Sequence, residues 1–168
     1  MSLIWPQELS VSADRLLEAC RTRGATLAVA ESCTGGLIAA ALTSIAGSSA
    51  VLERGFVTYS NAAKTEMLGV PAPLIDAHGA VSAEVATAMA EGALAHSKAS
   101  LAASVTGIAG PDGAVPGKPV GTVFIAVAKK DAPTLWQEHH FAGDRAAIRA
   151  ASALAVLALL LERAEEAR

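Results

Sequence analysis

The chain has 168 residues, of which 52% are hydrophobic, 17% charged and 4% aromatic. That length suits one well-buried domain rather than two, and an apolar content drawn largely from alanine favours helices packed closely on a sheet over an aromatic-rich sandwich. A net charge of -3 leaves no basic stripe to neutralise a run of phosphates, so nucleic acid is excluded as the expected partner while a single small anion is not. In chain order, apolar residues at Leu9, Ala13, Leu16, Leu17 and Cys20 recur at helical spacing and predict a helix over 9–22, closed by Arg23 and Gly24. A short apolar strand over 26–31 follows, then a helix over 34–46. Residues 53–60, centred on Phe56 and Val57, read as a second strand, and Asn61–Leu68 as a short helix closed by Gly69. The proline-bearing stretch 70–79 reads as loop with one helical turn. Ser82 suits the N-cap of a helix over 82–96, with Glu84 in its acidic first turn. A strand over 100–106 then enters a glycine- and proline-rich loop. Strands over 120–129 and 134–141 form an antiparallel hairpin, and Gly143 and Asp144 cap a long final helix ending among residues 162–168. No repeat or linker interrupts this order, so the expected fold class is α/β, a three-layer α/β/α sandwich with a mixed sheet, in a single domain over 8–163.

Cys20 and Cys33 are the only cysteines. Their positions suggest free thiols in a reducing cytoplasm rather than a secreted disulfide scaffold. The opening residues lack the basic region and apolar core of a signal peptide, and the most apolar run, 150–161, is too short to span a bilayer. A soluble cytoplasmic protein without a membrane partner is expected. The almost wholly apolar face of 146–161 exceeds what one sheet face usually covers, which points to a homo-oligomer.

The most informative segment is the end of the first strand, where Glu31-Ser32-Cys33-Thr34-Gly35-Gly36 opens a helix. A strand-to-helix turn lifts side chains to the carboxyl edge of a sheet. Glycines there admit a substrate to the backbone, and free N–H groups of the helix start stabilise negative charge. Two further polar runs complete the set, Tyr59-Ser60-Asn61 with Lys64, and Thr106-Gly107 through Gly110 to Gly113. The second run has the composition of a backbone nest for a phosphate or carboxylate, or of a tight turn. The residues also allow plainer roles: Ser32 as a helix cap, Lys64 as a solvated helix residue, Tyr59 in packing, Asn61 as the cap of its helix and Arg145 in a surface salt bridge. Cys33 is a rival nucleophile. The four histidines show no metal-ligand spacing, so neither a metal nor another cofactor is expected.

Residues 30–36, Gly55-Phe56-Val57-Thr58-Tyr59-Ser60-Asn61 with Lys64, 79–82, 106–113 and 118–123 together resemble the CinA C-terminal domain family. The resemblance runs over roughly 8–163 and implies that family's fold in its stand-alone form. The family's enzymatic members are nicotinamide-nucleotide amidohydrolases, which convert nicotinamide mononucleotide to nicotinic acid mononucleotide and ammonia without a metal. By resemblance, Ser32 is the nucleophile, Lys64 its base, and Tyr59 a third catalytic residue close to that pair, where its phenol would orient Lys64 or bridge proton transfer to Ser32. Ser48, Thr106 and Arg145 match positions important for activity. Cys33, Thr34, Gly35, Gly36, Asn61, Gly107 and Gly110 are expected to join them around a small nucleotide substrate. The alternatives are a catalytically silent nucleotide-binding or regulatory domain of the same fold and a cysteine amidase built on Cys33.

Overall fold

A computed structural model describes residues 6–166. The first five residues of the chain and the last two of the expected final helix lie outside it. The elements are α1 (Gln7–Arg23), β1 (Leu27–Glu31), α2 (Leu37–Thr43), β2 (Leu52–Val57), α3 (Asn61–Leu68), α4 (Ala72–His78), α5 (Ala83–Ala95), β3 (Leu101–Gly107), β4 (Thr122–Lys129), β5 (Ala132–His140) and α6 (Arg145–Glu165). The sheet order is β2-β1-β3-β4-β5. β1 runs parallel to β2 and β3, while β3-β4 and β4-β5 are antiparallel, so the sheet is mixed as expected.

Strand alternation sorts the side chains into two cores. Leu27 and Val29 of β1, Ala103 and Val105 of β3, and Ile125 and Val127 of β4 face the layer of α1, α2 and α6. Ala28 and Ala30 of β1, Phe56 of β2 and Ala102 of β3 face α3, α4 and α5, with Phe124 and Ala126 of β4 beside them. The small residues on this second face let the helices approach closely. A Cβ at Gly92 of α5 would collide with the Leu68 carbonyl at the end of α3, so glycine there lets α3 seat against α5.

Four expectations change. The helix over 34–46 starts later, at Leu37, because Gly35 and Gly36 take φ of 56° and 99° and hold 32–36 in a turn. The loop over 70–79 contains α4, which Pro71 starts from its N-cap position. The final hairpin tightens to Lys130-Asp131, so that Pro133 lies in β5, at the sheet edge where its missing N–H removes no inner ladder bond. The apolar face of α6 is met within the chain. Leu157 and Leu160 join Leu9, Leu16 and Leu17 of α1 and Ile38 of α2 in one core, so that face no longer argues for a second copy. Among the described residues no helix is long and apolar enough to cross a membrane.

Candidate active site

Parallel pairing brings the ends of β1, β2 and β3 to one edge of the sheet. The same alternation that buries Ala30 on the α3-α5 face turns Ser32 toward it, while Glu31 turns to the α2 face. Ser32 N–H continues the ladder by donating to Val105 O at 3.0 Å, which fixes the serine in the sheet's register. Ser32 is 8% exposed.

Lys64, one turn into α3, reaches down onto that edge. The Ser60 hydroxyl caps the helix by accepting from Ala63 N–H at 3.0 Å, so Ser60 and not Asn61 is the cap. The Lys64 side chain is 1% exposed, among the largest fully buried side chains of the protein. Its Nζ lies 3.0 Å from Ser32 Oγ and donates to the Thr58 carbonyl at 2.9 Å. No described carboxylate forms an ion pair with it. Burial pushes the Lys64 amine below the ordinary lysine range, opposed only by the nearby Cys33 thiol. The arrangement can therefore hold a neutral amine against a serine hydroxyl, which a solvated helix lysine cannot.

Cys33 is also buried, and burial pushes its thiol up to about 11. It stays protonated at neutral pH, which disfavours a thiolate attacker.

Behind Ser32 lies a residue that the sequence reading passed over. Glu31 is 1% exposed. Its Oε2 accepts from Thr34 Oγ1 at 2.6 Å and from the N–H groups of Gly36 and Ile38 at 3.1 Å each, and its Oε1 accepts from Ala39 N–H at 2.9 Å. The N–H groups of Gly36, Ile38 and Ala39 are thus occupied by a side chain and that of Leu37 by Thr34 O, so they are not free for a substrate, contrary to the expectation for a helix start. Arg149 of α6 was missed as well. It donates to the carbonyls of Cys33 at 3.2 Å and Thr34 at 2.7 Å. A glutamate closing an apolar strand before Gly-Gly, and arginines at 145 and 149 in the alanine-rich first half of the last helix, were the available signals.

A cavity of about 180 Å³ opens over the pair, lined by Ser32, Cys33, Lys64, Tyr59, Asn61, Thr106, Gly107 and Arg145 with Ala80, Val81 and Ala109. Tyr59 is 62% exposed at its mouth. Its hydroxyl accepts from Arg145 Nη2 at 3.1 Å, so its partner is Arg145 rather than the Ser32–Lys64 pair. Arg145 Nη1 donates to Gly110 O at 2.8 Å, so Gly110 is tied to the arginine at the mouth but does not itself line the cavity. Thr106 donates its hydroxyl to Ala80 O at 2.8 Å. A Cβ at Gly107 would press on Val123, so that glycine keeps the wall thin. Thr34 is fully buried, and Gly35 and Gly36 face a separate groove between α2 and α6. Ser48 is not brought to the cavity. It lies in a 3-10 turn, Ser48–Ala50, before β2, at the opposite edge of the sheet. Roomier grooves of about 510 and 630 Å³ lie at that opposite edge, and Ser100, common to both, donates its hydroxyl to Thr26 O. Among the described residues no group of three or more His, Cys, Asp or Glu side chains could hold a metal ion.

A three-layer α/β sandwich carrying a buried serine–lysine pair at the carboxyl edge of its parallel strands defines the class of this protein. The chain belongs to the CinA C-terminal domain family, which it matches over residues 10–164. It is 56% identical over 86% of its length to a CinA-like protein of Citrifermentans bemidjiense, of which it covers 34%. The chain spans about a third of the length of the first such relatives. It is also 52% identical to the nicotinamide-nucleotide amidohydrolase PncC of Enterobacter agglomerans, over 88% of both chains. The crystal structure of the competence/damage inducible protein CihA from Agrobacterium tumefaciens superposes with a TM-score of 0.93, at 46% identity, covering 96% of this chain and 98% of the other.

Proposed function

We propose that this protein hydrolyses the carboxamide of nicotinamide mononucleotide to give nicotinic acid mononucleotide and ammonia, with Ser32 as nucleophile and Lys64 as its base. The observation that carries the reading is a lysine buried without a carboxylate partner, 3.0 Å from a serine hydroxyl. A neutral Lys64 amine takes the Ser32 proton as Oγ attacks the carboxamide carbon. The oxyanion that forms is met by the N–H of Cys33, which lines the cavity, since the N–H groups further along the turn are buried or bonded to Glu31 and the turn's own carbonyls. As the C–N bond breaks, the Lys64 ammonium returns the proton to the leaving nitrogen, releasing ammonia and leaving an acyl ester on Ser32. Water, deprotonated by Lys64, then cleaves the ester; the carboxylic acid leaves and the serine proton is restored.

The cavity size supports a substrate whose reacting end alone is buried, since about 180 Å³ falls below the ~300–1,000 Å³ of a pocket that engulfs its ligand. The rest of the nucleotide would cross the mouth, where Asn61, Tyr59 and the outward N–H groups of Arg145 are placed to meet ribose and phosphate. The name of the PncC relative, similar along nearly its whole length, supports this substrate. Cytoplasmic residence suits the two free cysteines. The test is ammonia release from nicotinamide mononucleotide by the purified protein, together with mass-spectrometric trapping of an acyl group on Ser32. Ammonia release with the adduct on Ser32 is expected. An adduct on Cys33, or no ammonia, would overturn the reading.

A further inference from the structure

We propose that Arg149 is a positioning residue for amide hydrolysis, fixing the turn that follows Ser32 so that the Cys33 N–H is held at the cavity for the oxyanion; the inference rests on the serine–lysine reading above. It follows from accounting for each main-chain donor of the turn. Ser32 N–H donates to Val105 O, Gly35 N–H to Ser32 O and Leu37 N–H to Thr34 O, at 3.0, 3.0 and 3.1 Å. Those of Gly36, Ile38 and Ala39 go to Glu31. Two donors are left in the turn. Neither the Cys33 N–H nor the Thr34 N–H has a protein acceptor among the described residues, and of the two residues only Cys33 lines the cavity. Both directly follow the nucleophile.

The Cys33 carbonyl accepts from Arg149 Nε at 3.2 Å. Arg149 Nη2 holds the following carbonyl, Thr34 O, at 2.7 Å. One planar fork thus fixes two successive peptide units, which a lysine ammonium, a point charge on a flexible stem, cannot do. Arg145 and Arg149 stand one turn apart on α6 and share a face. Arg145 ties down the mouth through Gly110 and Tyr59, while Arg149 ties down the floor behind Ser32. The influences on Lys64 are its burial and Cys33, so the Arg149 charge does not tune the base.

Arg149→Ala and Arg149→Lys are compared with the intact protein on nicotinamide mononucleotide, with the fold followed by circular dichroism and Ser32 probed with a fluorophosphonate. The kcat of Arg149→Ala is expected to fall roughly 10- to 100-fold, the cost of a misplaced oxyanion donor. KM should stay within about threefold and the pH midpoint should not move. Millimolar guanidinium should recover much of the lost kcat in Arg149→Ala, and Arg149→Lys should stay slow. An unchanged kcat in Arg149→Ala would overturn the proposal, as would a loss that follows the folded fraction and that guanidinium does not recover. If the intact protein turns over while Ser32 takes no phosphonyl group, the serine reading itself fails and the proposal falls with it.

Discussion

Glu31 and Lys64 are both fully buried ionisable side chains at the same edge of the sheet, one on each face. Their surroundings differ in the number of partners. The Glu31 carboxylate accepts four hydrogen bonds, three of them from the backbone, and makes the turn rigid. Lys64 has one carbonyl and one serine hydroxyl, with no opposite charge. An ammonium buried with so few acceptors is disfavoured, so the side chain gives up its proton more readily. Burial is common to both residues. Chemistry is assigned to the one whose charged form is left under-satisfied, and stability to the one whose acceptors are filled.

The comparison breaks first at the serine between them. Ser32→Ala should lower kcat by roughly 10³-fold or more with the fold retained, because oxyanion stabilisation outlives the nucleophile; steady-state ammonia release with circular dichroism checks this. Glu31→Ala should act mainly on stability. It strands one hydroxyl and three N–H donors at the start of α2, which costs on the order of 3–5 kcal/mol in urea unfolding. A small loss there would mean that the turn is held by something else. Lys64→Met should abolish turnover and also change how stability depends on pH. The native lysine has a lowered pKa, so between that value and about 10.4 the unfolded chain binds more protons and native stability rises with pH, by up to ~1.4 kcal/mol per unit. The Met variant should lack that slope in urea titrations run across the alkaline range. The smallest effect is expected for Cys33→Ala, a loss of about tenfold or less, since its thiol is held protonated and only packing changes. A loss for Cys33→Ala exceeding that for Ser32→Ala would reverse the assignment.

Local chemistry in the sequence exposed much of this site. A strand running into Ser32 and two glycines, a lysine one turn into the next helix, and an arginine opening the last helix each show in short windows. Residues whose role depends on distant chain segments do not. Arg149 meets a turn more than a hundred positions earlier, and nothing near it in sequence marks the carbonyls it binds. Glu31 looks like the polar end of an apolar strand until the direction of the turn sends the α2 N–H groups back to it. Tyr59 sits two residues past β2, where the resemblance sets it beside the pair, but it lies at the mouth and its hydroxyl accepts from Arg145. Ser48 precedes β2 and Tyr59 follows it; a strand of six residues spans ~20 Å, which sets the two at opposite edges. In the fold, α4 was hidden by its prolines, which mark a loop as readily as a first helical turn.

The most direct test of a neutral Lys64 is its own titration, followed by NMR of protein labelled with 13C at the lysine Cε and assigned by the signal lost in Lys64→Arg. The account predicts a midpoint well below the ordinary value of about 10.4, coinciding with the pH through which kcat/KM falls as the solution is made more acidic. A Lys64 signal that titrates at the ordinary value, while kcat/KM follows some other group, would contradict it.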